Sequence, residues 1–303
     1  MIDLCTLGTG GALPLPDRGL ASLYIRMNGH GLLVDCGENT QTAIRKIGWG
    51  FHGIDGLLIT HYHADHCGGL PGFLLSMAKA GRTEPFPIWG PAGLKRVVNG
   101  LRVVAPQLPY PVELHEFGSE GVTFRAIGLK IQAFKLEHSV TCFGYRFELE
   151  RPGAFLPERA RALNIPLACW KVLQRGEAVT LEDGRNFSPA DVLTESRRGI
   201  SFLYATDTRP VKSIVAMGQG TDLMILEGMY GDDEKMPQAL KNRHMLFRES
   251  AALARQAETK ALVLTHFSNC IDDPEVYLDN ARAIFPNTRA AQDLMTITLG
   301  YEA

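Results

Sequence analysis

Residues 57–72 read LLITHYHADHCGGLPG, and six consecutive positions hold His61, His63, Asp65 and His66. Imidazole nitrogen and carboxylate oxygen together suit a divalent cation of intermediate hardness, zinc first, with manganese or iron as competitors. The apolar run before them is strand-like, and residues two apart in an extended segment point to the same side. His61 and His63 therefore face one way, and a turn or helix start after them brings Asp65 and His66 back to the same space. Two nitrogens from one stretch and a mixed pair from the next suit two adjacent ions rather than one. The plain alternative is a solvated polar turn. Four such groups in six residues, mutually repulsive if the histidines charge, argue against it.

One cluster does not complete two metal sites, so the rest of the chain should supply partners. His138 closes QAFKLEHSV, Asp207 closes FLYATD and His266 closes ALVLTH. Taken singly, each is an ordinary capping or surface residue. Taken with the cluster, each is a ligand type placed just beyond a strand, where strand ends converge on one crevice.

The elements that must position these groups follow from the pattern. IDLCTLG (2–8), SLYIRM (22–27) and HGLLVDCG (30–37) read as strands, with Asn28-Gly29 a hairpin turn between the last two. NTQTAIRKIG (39–48) reads as a helix with a polar cap and a glycine stop, GLLIT (56–60) as a buried strand, and GFLLSMAKAG (72–81) as a helix. FPIWGP and GLKRVVNGLRVV give a further strand and helix, and strand patterns return over 112–147. SFLYATD, DLMILEG and KALVLTH are strand runs ending in polar residues, while LFRESAALARQAE and PEVYLDNARAIF are helical. The result is two mixed α/β halves around one core with helices outside. Residues 150–198 have four prolines and no clear period, and read as an inserted excursion. GTGGAL at Gly8 lacks the third glycine of a dinucleotide fingerprint and reads as a tight turn.

Bulk properties narrow the class. The 303 residues are 45% apolar and 21% charged, with a net charge of -2, which argues against an indiscriminate nucleic-acid binder while leaving room for a local basic patch. No window of about 18 apolar residues appears, so no membrane span is expected. The N-terminus has no basic region before an apolar stretch, so no signal peptide is expected. The six cysteines form no C-x-x-C pair and read as reduced thiols of a cytoplasmic protein, with Cys67 notable for lying beside the cluster.

THYHADHCGGLPG resembles the H-x-H-x-D-H signature of the metallo-β-lactamase superfamily. The remainder of the chain is similar to one branch of it, the ribonuclease Z family of tRNA 3′-processing endonucleases: LGTGGALPLPDRGLAS, LLVDCGENTQ, LEDGRNFSPADVL, YATDTRP and LVLTHFS match its landmarks in order. The resemblance implies a single α/β domain over 1–303, an αββα four-layer sandwich with an inserted arm at 150–198 as the substrate-binding element. It implies two zinc ions, one held by His61, His63 and His138, the other by Asp65, His66 and His266, with Asp207 between them. It further implies that Asp65 orients or deprotonates the attacking water and that His244 protonates the leaving 3′ oxygen. Glu227 would orient a metal-bound histidine. The implied substrate is precursor tRNA, and the implied assembly is a homodimer.

The chain departs from the family pattern at three places. Leu226 and Met229 flank Glu227 where polar residues are usual. Met245 and Leu246 follow His244 where small hydroxyl residues are usual. The arm carries Leu167-Ala168-Cys169-Trp170 in place of a Pro- and Gly-rich tip. Over 151–198 eight basic residues face six acidic ones, a net +2. Lys79, Arg82, Lys95, Arg96 and Arg102 make a second basic stretch, either a backbone-binding face or a solvated helix face. An enzyme of the same fold acting on a small phosphodiester, cyclic nucleotide or sulfate ester is the alternative reading, and an RNA-binding scaffold that does not cut is a third.

Overall fold

The apolar runs form two seven-stranded sheets within residues 1–301, the part of the chain that the structure, a computed structural model, describes. The first half supplies β1 (Ile2–Gly8), β2 (Ser22–Met27), β3 (His30–Val34), β4 (Ile54–Leu58), β5 (Phe86–Pro91) and β6 (Val112–Phe117). Then come β7 (Val122–Ala126), β8 (Leu129–Lys135), β9 (Phe143–Arg151), β10 (Val179–Thr180), β11 (Asn186–Phe187), β12 (Arg197–Ala205), β13 (Leu223–Glu227), β14 (Leu262–Thr265), β15 (Thr288–Ala290) and β16 (Met295–Leu299). One sheet runs β16-β1-β2-β3-β4-β5-β6 and the other β15-β14-β13-β12-β9-β8-β7. β10 and β11 pair only with each other.

Local chemistry explains the pairing. Asn28 (φ 53°) and Gly29 (φ 84°) are both left-handed, as the two-residue β2–β3 hairpin requires. β3 to β6 are parallel, as are β12 to β15. Parallel strands are covered on both faces, which is why β3, β13 and β14 are near-continuous apolar runs and almost wholly buried. The sheets pack face to face: Trp89 of β5 stacks on Phe124 of β7 at 5.1 Å, and Phe117 of β6 meets Phe143 of β9 edge-on at 5.0 Å. Helices lie outside. Leu70–Lys79 buries Leu70, Phe73, Leu74 and Met77, and Phe247–Gln256 packs on β13 and β14. The architecture is the expected αββα sandwich.

Residues Met1–Phe147 and Ser201–Gly300 form one compact unit, and Glu148–Ile200 with Tyr301 forms a second. The second has its own small core of Ala160, Ile165, Leu173, Phe187 and Val192. Its helices, Pro157–Ala162, Leu167–Gln174 and Pro189–Val192, are too short to print a period on the sequence. Trp170 packs there: its ring lies 5.1 Å from Phe155 and its Nε1 donates to the Ile165 carbonyl at 3.0 Å.

Two local expectations need correction. Asn39 does not cap the helix Thr40–Ile47 with its side chain; it sits left-handed at φ 71°. PEVYLDNARAIF is a short 3₁₀ turn, Pro274–Tyr277, followed by the helix Leu278–Arg282. MTITL, an alternating run, forms β16 and pairs antiparallel with β1. No helix among the described residues is long and apolar enough to cross a membrane. The six cysteines are free thiols, with Cys5, Cys36, Cys67 and Cys142 buried, Cys169 half-buried and Cys270 exposed.

Candidate metal centre

The polar residues that follow the strands of both sheets meet at one crevice. β4 ends at Leu58 and delivers His61 and His63, and the short helix Ala64–Cys67 carries Asp65 and His66. β8, β12 and β14 lead into His138, Asp207 and His266. Asp207 (φ 58°) and His266 (φ 56°) are both left-handed, as is Asp35 (φ 62°), the residue after β3. Such conformations are uncommon for residues with a Cβ and collect at functional sites. Here each one turns the chain sharply at a strand end, so that the side chain enters the crevice.

The seven groups sort into two sets around Asp207. His63 Nδ1 lies 3.0 Å from His61 Nε2 and 3.3 Å from His138 Nε2. Asp207 Oδ1 is 3.8 Å from both His61 Nε2 and His138 Nε2. On the other side His66 Nε2 and His266 Nε2 are 3.1 Å apart, with Asp65 Oδ2 at 3.5 and 3.4 Å from them. Asp207 Oδ2 lies 3.1 Å from His66 Nε2 and 3.3 Å from His266 Nε2. One carboxylate thus turns an oxygen to each set.

Hydrogen bonding does not satisfy every group in this arrangement. His66 Nδ1 is committed to Asp35 Oδ2 at 2.8 Å, and a proton on its Nε2 can serve only one of the acceptors crowded there, Asp207 Oδ2, Asp65 Oδ2 and His266 Nε2. Asp207 Oδ2 and His266 Nδ1 are buried without a hydrogen-bond partner. Metal–nitrogen bonds of about 2.0–2.1 Å in a tetrahedron require ligand–ligand edges of about 3.3 Å, close to the spacings within each set. The residues fit a pair of cations.

Electrostatics point the same way. Burial, with His66 beside it, holds the His61 pKa well below the ordinary histidine value, and burial lowers His138 too. Burial alone would raise Asp65 and Asp207, but the surrounding histidines outweigh it and hold both below the usual carboxylate range. Burial opposes charge on His66, yet Asp207 and Asp35 pull its pKa well above normal, so a cation taking Nε2 would release a proton.

A second layer fixes the rings. Asp35 is fully buried and accepts Thr60 N at 2.8 Å and the Thr60 hydroxyl at 2.9 Å besides His66. His138 Nδ1 lies 3.2 Å from the Arg243 carbonyl, and Arg243 Nη1 donates to the His138 carbonyl at 2.7 Å. The Gly8 loop turns tightly at Gly11–Leu13, where Leu13 N donates to the Gly11 carbonyl at 2.9 Å, and it is also tied to distant segments. Gly10 N donates to Gly19 O at 2.8 Å, Gly11 N donates to Phe267 O at 2.9 Å, and Ala12 N donates to Asp65 Oδ2 at 2.8 Å. The sequence pattern alone gives Asp35 no role, although LLVD ends in a polar residue just as FLYATD does.

His244 stands at the rim, its ring 5.1 Å from His138 and 5.8 Å from His266. Its Nδ1 is 3.0 Å from Glu227 Oε2. Glu227, fully buried, also accepts Met245 N at 3.0 Å and, through Oε1, Thr208 N at 2.5 Å. Burial works against a charged His244, but Glu227 outweighs it and raises the pKa to about 9. Arg209 makes a bidentate pair with Glu249 and donates to the His244 carbonyl. The apolar departures at Leu226, Met229, Met245 and Leu246 are buried, and at 245 it is the backbone N–H that reaches Glu227.

The described residues place His63, Asp65, His138, Asp207 and His266 around a cavity of about 320 Å³ with His244 on its wall. Such a sandwich with His and Asp ligand types on its strand ends defines a metallo-β-lactamase-fold protein. Family models described as Anti-Pycsar protein Apyc1 and Beta-lactamase superfamily domain match residues 2–99 and 176–267. Ribonuclease Z of Lachnoclostridium phytofermentans is 47% identical over all of this chain and 99% of its own length, and ribonuclease Z of Clostridium acetobutylicum is 45% identical over all of this chain and 99% of its own length. The crystal structure of human tRNase Z, short form (ELAC1), superposes with a TM-score of 0.71 at 24% identity, covering 99% of this chain and 100% of that one. The chain belongs to the ribonuclease Z family.

Proposed function

We propose that this protein is a dinuclear zinc phosphodiesterase that cleaves precursor tRNA just 3′ of the acceptor stem. The observation that carries the reading is Asp207 set between two clusters of ligand atoms, with a buried Glu227–His244 pair at their rim. His61, His63 and His138 would hold one zinc, and Asp65, His66 and His266 the other, with Asp207 touching both; manganese or iron would suit the same donors. When bound, the ions supply Lewis-acid stabilisation of the phosphodiester and lower the pKa of water. Asp65 accepts the proton of the attacking water. His244, charged at neutral pH and aligned by Glu227, gives a proton to the departing 3′ oxygen.

The second unit, with the arm at 150–198, is assigned to grip the tRNA. Three of its basic residues form ion pairs at the surface: Arg161 with Glu158 at 2.6 Å, Arg175 with Glu177 at 3.2 Å and Arg185 with Asp183 at 2.8 Å. Arg159 and Lys171 are exposed and carry the assignment. We also assign the protein to the cytoplasm as a homodimer.

The test is to incubate the purified protein with a precursor tRNA and map the cut. Cleavage after the discriminator nucleotide, leaving a 3′ hydroxyl, is expected. Hydrolysis of bis(p-nitrophenyl) phosphate without any cut in the tRNA would favour a small phosphodiester substrate instead. Arg159→Glu with Lys171→Glu should lower tRNA cleavage roughly tenfold or more relative to hydrolysis of the small diester, because phosphate contacts dominate nucleic-acid affinity. An unchanged ratio removes the arm from substrate binding.

A further inference from the structure

Behind His244 lies a second cavity, of about 420 Å³, which shares Ala12, Met229, Asn242 and His244 with the cavity over the metal-binding groups. Its size suits a small organic group. Apolar surface predominates on its wall, with Asp232, Lys235, Gln238 and Ser268 also lining it. Tyr230 stands 6.5 Å from the His244 ring at 77°, and Tyr277 lies so close to the chain that a Cβ on Gly231 would fall 2.4 Å from its ring. Tyr230 is held in place: Asn242 Nδ2 donates to its hydroxyl at 2.9 Å, and Phe247 N donates to its carbonyl at 3.0 Å. Met229 adds a polarizable face, and the amides of Asn242 and Asn269 line the same cavity. None of this is used by the metal-binding residues.

The position of His244 identifies the occupant. If His244 protonates the departing 3′ oxygen, the nucleoside bearing that oxygen must sit against His244, and the cavity is what lies there. We infer that this cavity receives the nucleobase immediately 5′ of the scissile bond, stacked on Tyr230. The inference rests on the tRNA reading above. Stacking tolerates any base because every base has a π-face, and amide side chains can both donate and accept. The cavity therefore recognises that a base is present rather than which base it is.

The experiment measures single-turnover cleavage of precursor tRNAs that carry each of the four bases, or an abasic residue, at the nucleotide 5′ of the cut. For the wild-type zinc enzyme, exchanging bases should change the rate less than about fivefold, while removing the base should slow it roughly 10- to 100-fold, the range of one base–aromatic stack. Tyr230→Ala should lose a comparable factor on the natural substrate and show little further loss on the abasic one. Tyr230→Phe, which keeps the ring, should retain the abasic penalty. Zinc content and melting temperature verify that each variant is folded, and Tyr230→Leu replaces Tyr230→Ala if that variant is not. Equal rates on natural and abasic substrates for the wild type, or a full abasic penalty in Tyr230→Ala, would overturn the inference. A wild-type enzyme that hydrolyses bis(p-nitrophenyl) phosphate but cuts no tRNA would instead defeat the underlying reading, and this inference with it.

Discussion

Six of the nine histidines meet within one crevice, and their neighbours assign them different work. His244, at the rim, is paired with the buried Glu227 and raised to about 9, so it enters a reaction near neutral pH with a proton to give. Its role can be separated from metal binding by choice of leaving group. A ribose 3′ oxygen needs protonation to depart, whereas p-nitrophenolate leaves without it. His244→Ala is expected to slow RNA cleavage by roughly 10²–10⁴-fold, to slow bis(p-nitrophenyl) phosphate hydrolysis much less, and to keep both ions by metal analysis. Equal losses on the two substrates, or loss of an ion, would show His244 to be a ligand or a structural residue. Asp35 is the converse case, remote from substrate yet tied to a ligand. In Asp35→Asn the amide nitrogen must face His66 Nδ1–H or the Thr60 donors, so one donor opposes another. Metal affinity measured against a competing chelator should fall about 10- to 100-fold, and an unchanged affinity would leave Asp35 with a folding role alone.

At the level of elements, the site is made by how strands end. The candidate metal-binding residues were legible because all seven follow apolar runs or crowd one motif. HYHADH concentrates four in six positions, and strand-then-ligand repeats at LTH and ATD. Asp35 obeys the same rule but was passed over, since its partners Thr60 and His66 lie 25 and 31 residues away and nothing local announces them. The long-range ties of the Gly8 loop are hidden for the same reason: besides the bond from Leu13 N to the Gly11 carbonyl, its backbone reaches Gly19, Phe267 and Asp65. That loop makes a testable wall. A Cβ on Gly11 would fall 2.6 Å from His266 Cε1, so Gly11→Ala must push the ring or the loop aside. Because His266 is assigned to one set only, the expected result is loss of about one of the two ions with a matching fall in cleavage, and a far-ultraviolet spectrum unchanged from the parent. A variant that keeps two ions and full activity would mean the loop yields without disturbing His266.

For the molecule as a whole, the two units differ in what stabilises them. The larger one brings Asp65, Asp207 and several unprotonated rings to buried positions where a pair of cations would complete their partners. Buried charge without a partner costs far more than it returns, and a ligand bound only by the native state adds its binding free energy to stability. The smaller unit is held by Ala160, Ile165, Leu173, Phe187 and Val192, an apolar core that contains no ligand type. Chelation should therefore act unevenly. Hydrogen exchange after metal removal is expected to speed up at the backbone amides of Asp35, Asp207 and His266, whose left-handed turns lose their counter-charge, and at Thr60, which donates to Asp35. The amides of Leu173 and Val192 should keep their protection. Restoring zinc should reverse the change and raise the melting temperature with zinc concentration. A uniform loss of protection across both units would mean that the arm's small core does not stand by itself. No change at the strand ends would mean that hydrogen bonds already satisfy the converging groups, and the pair of cations would lose its physical basis.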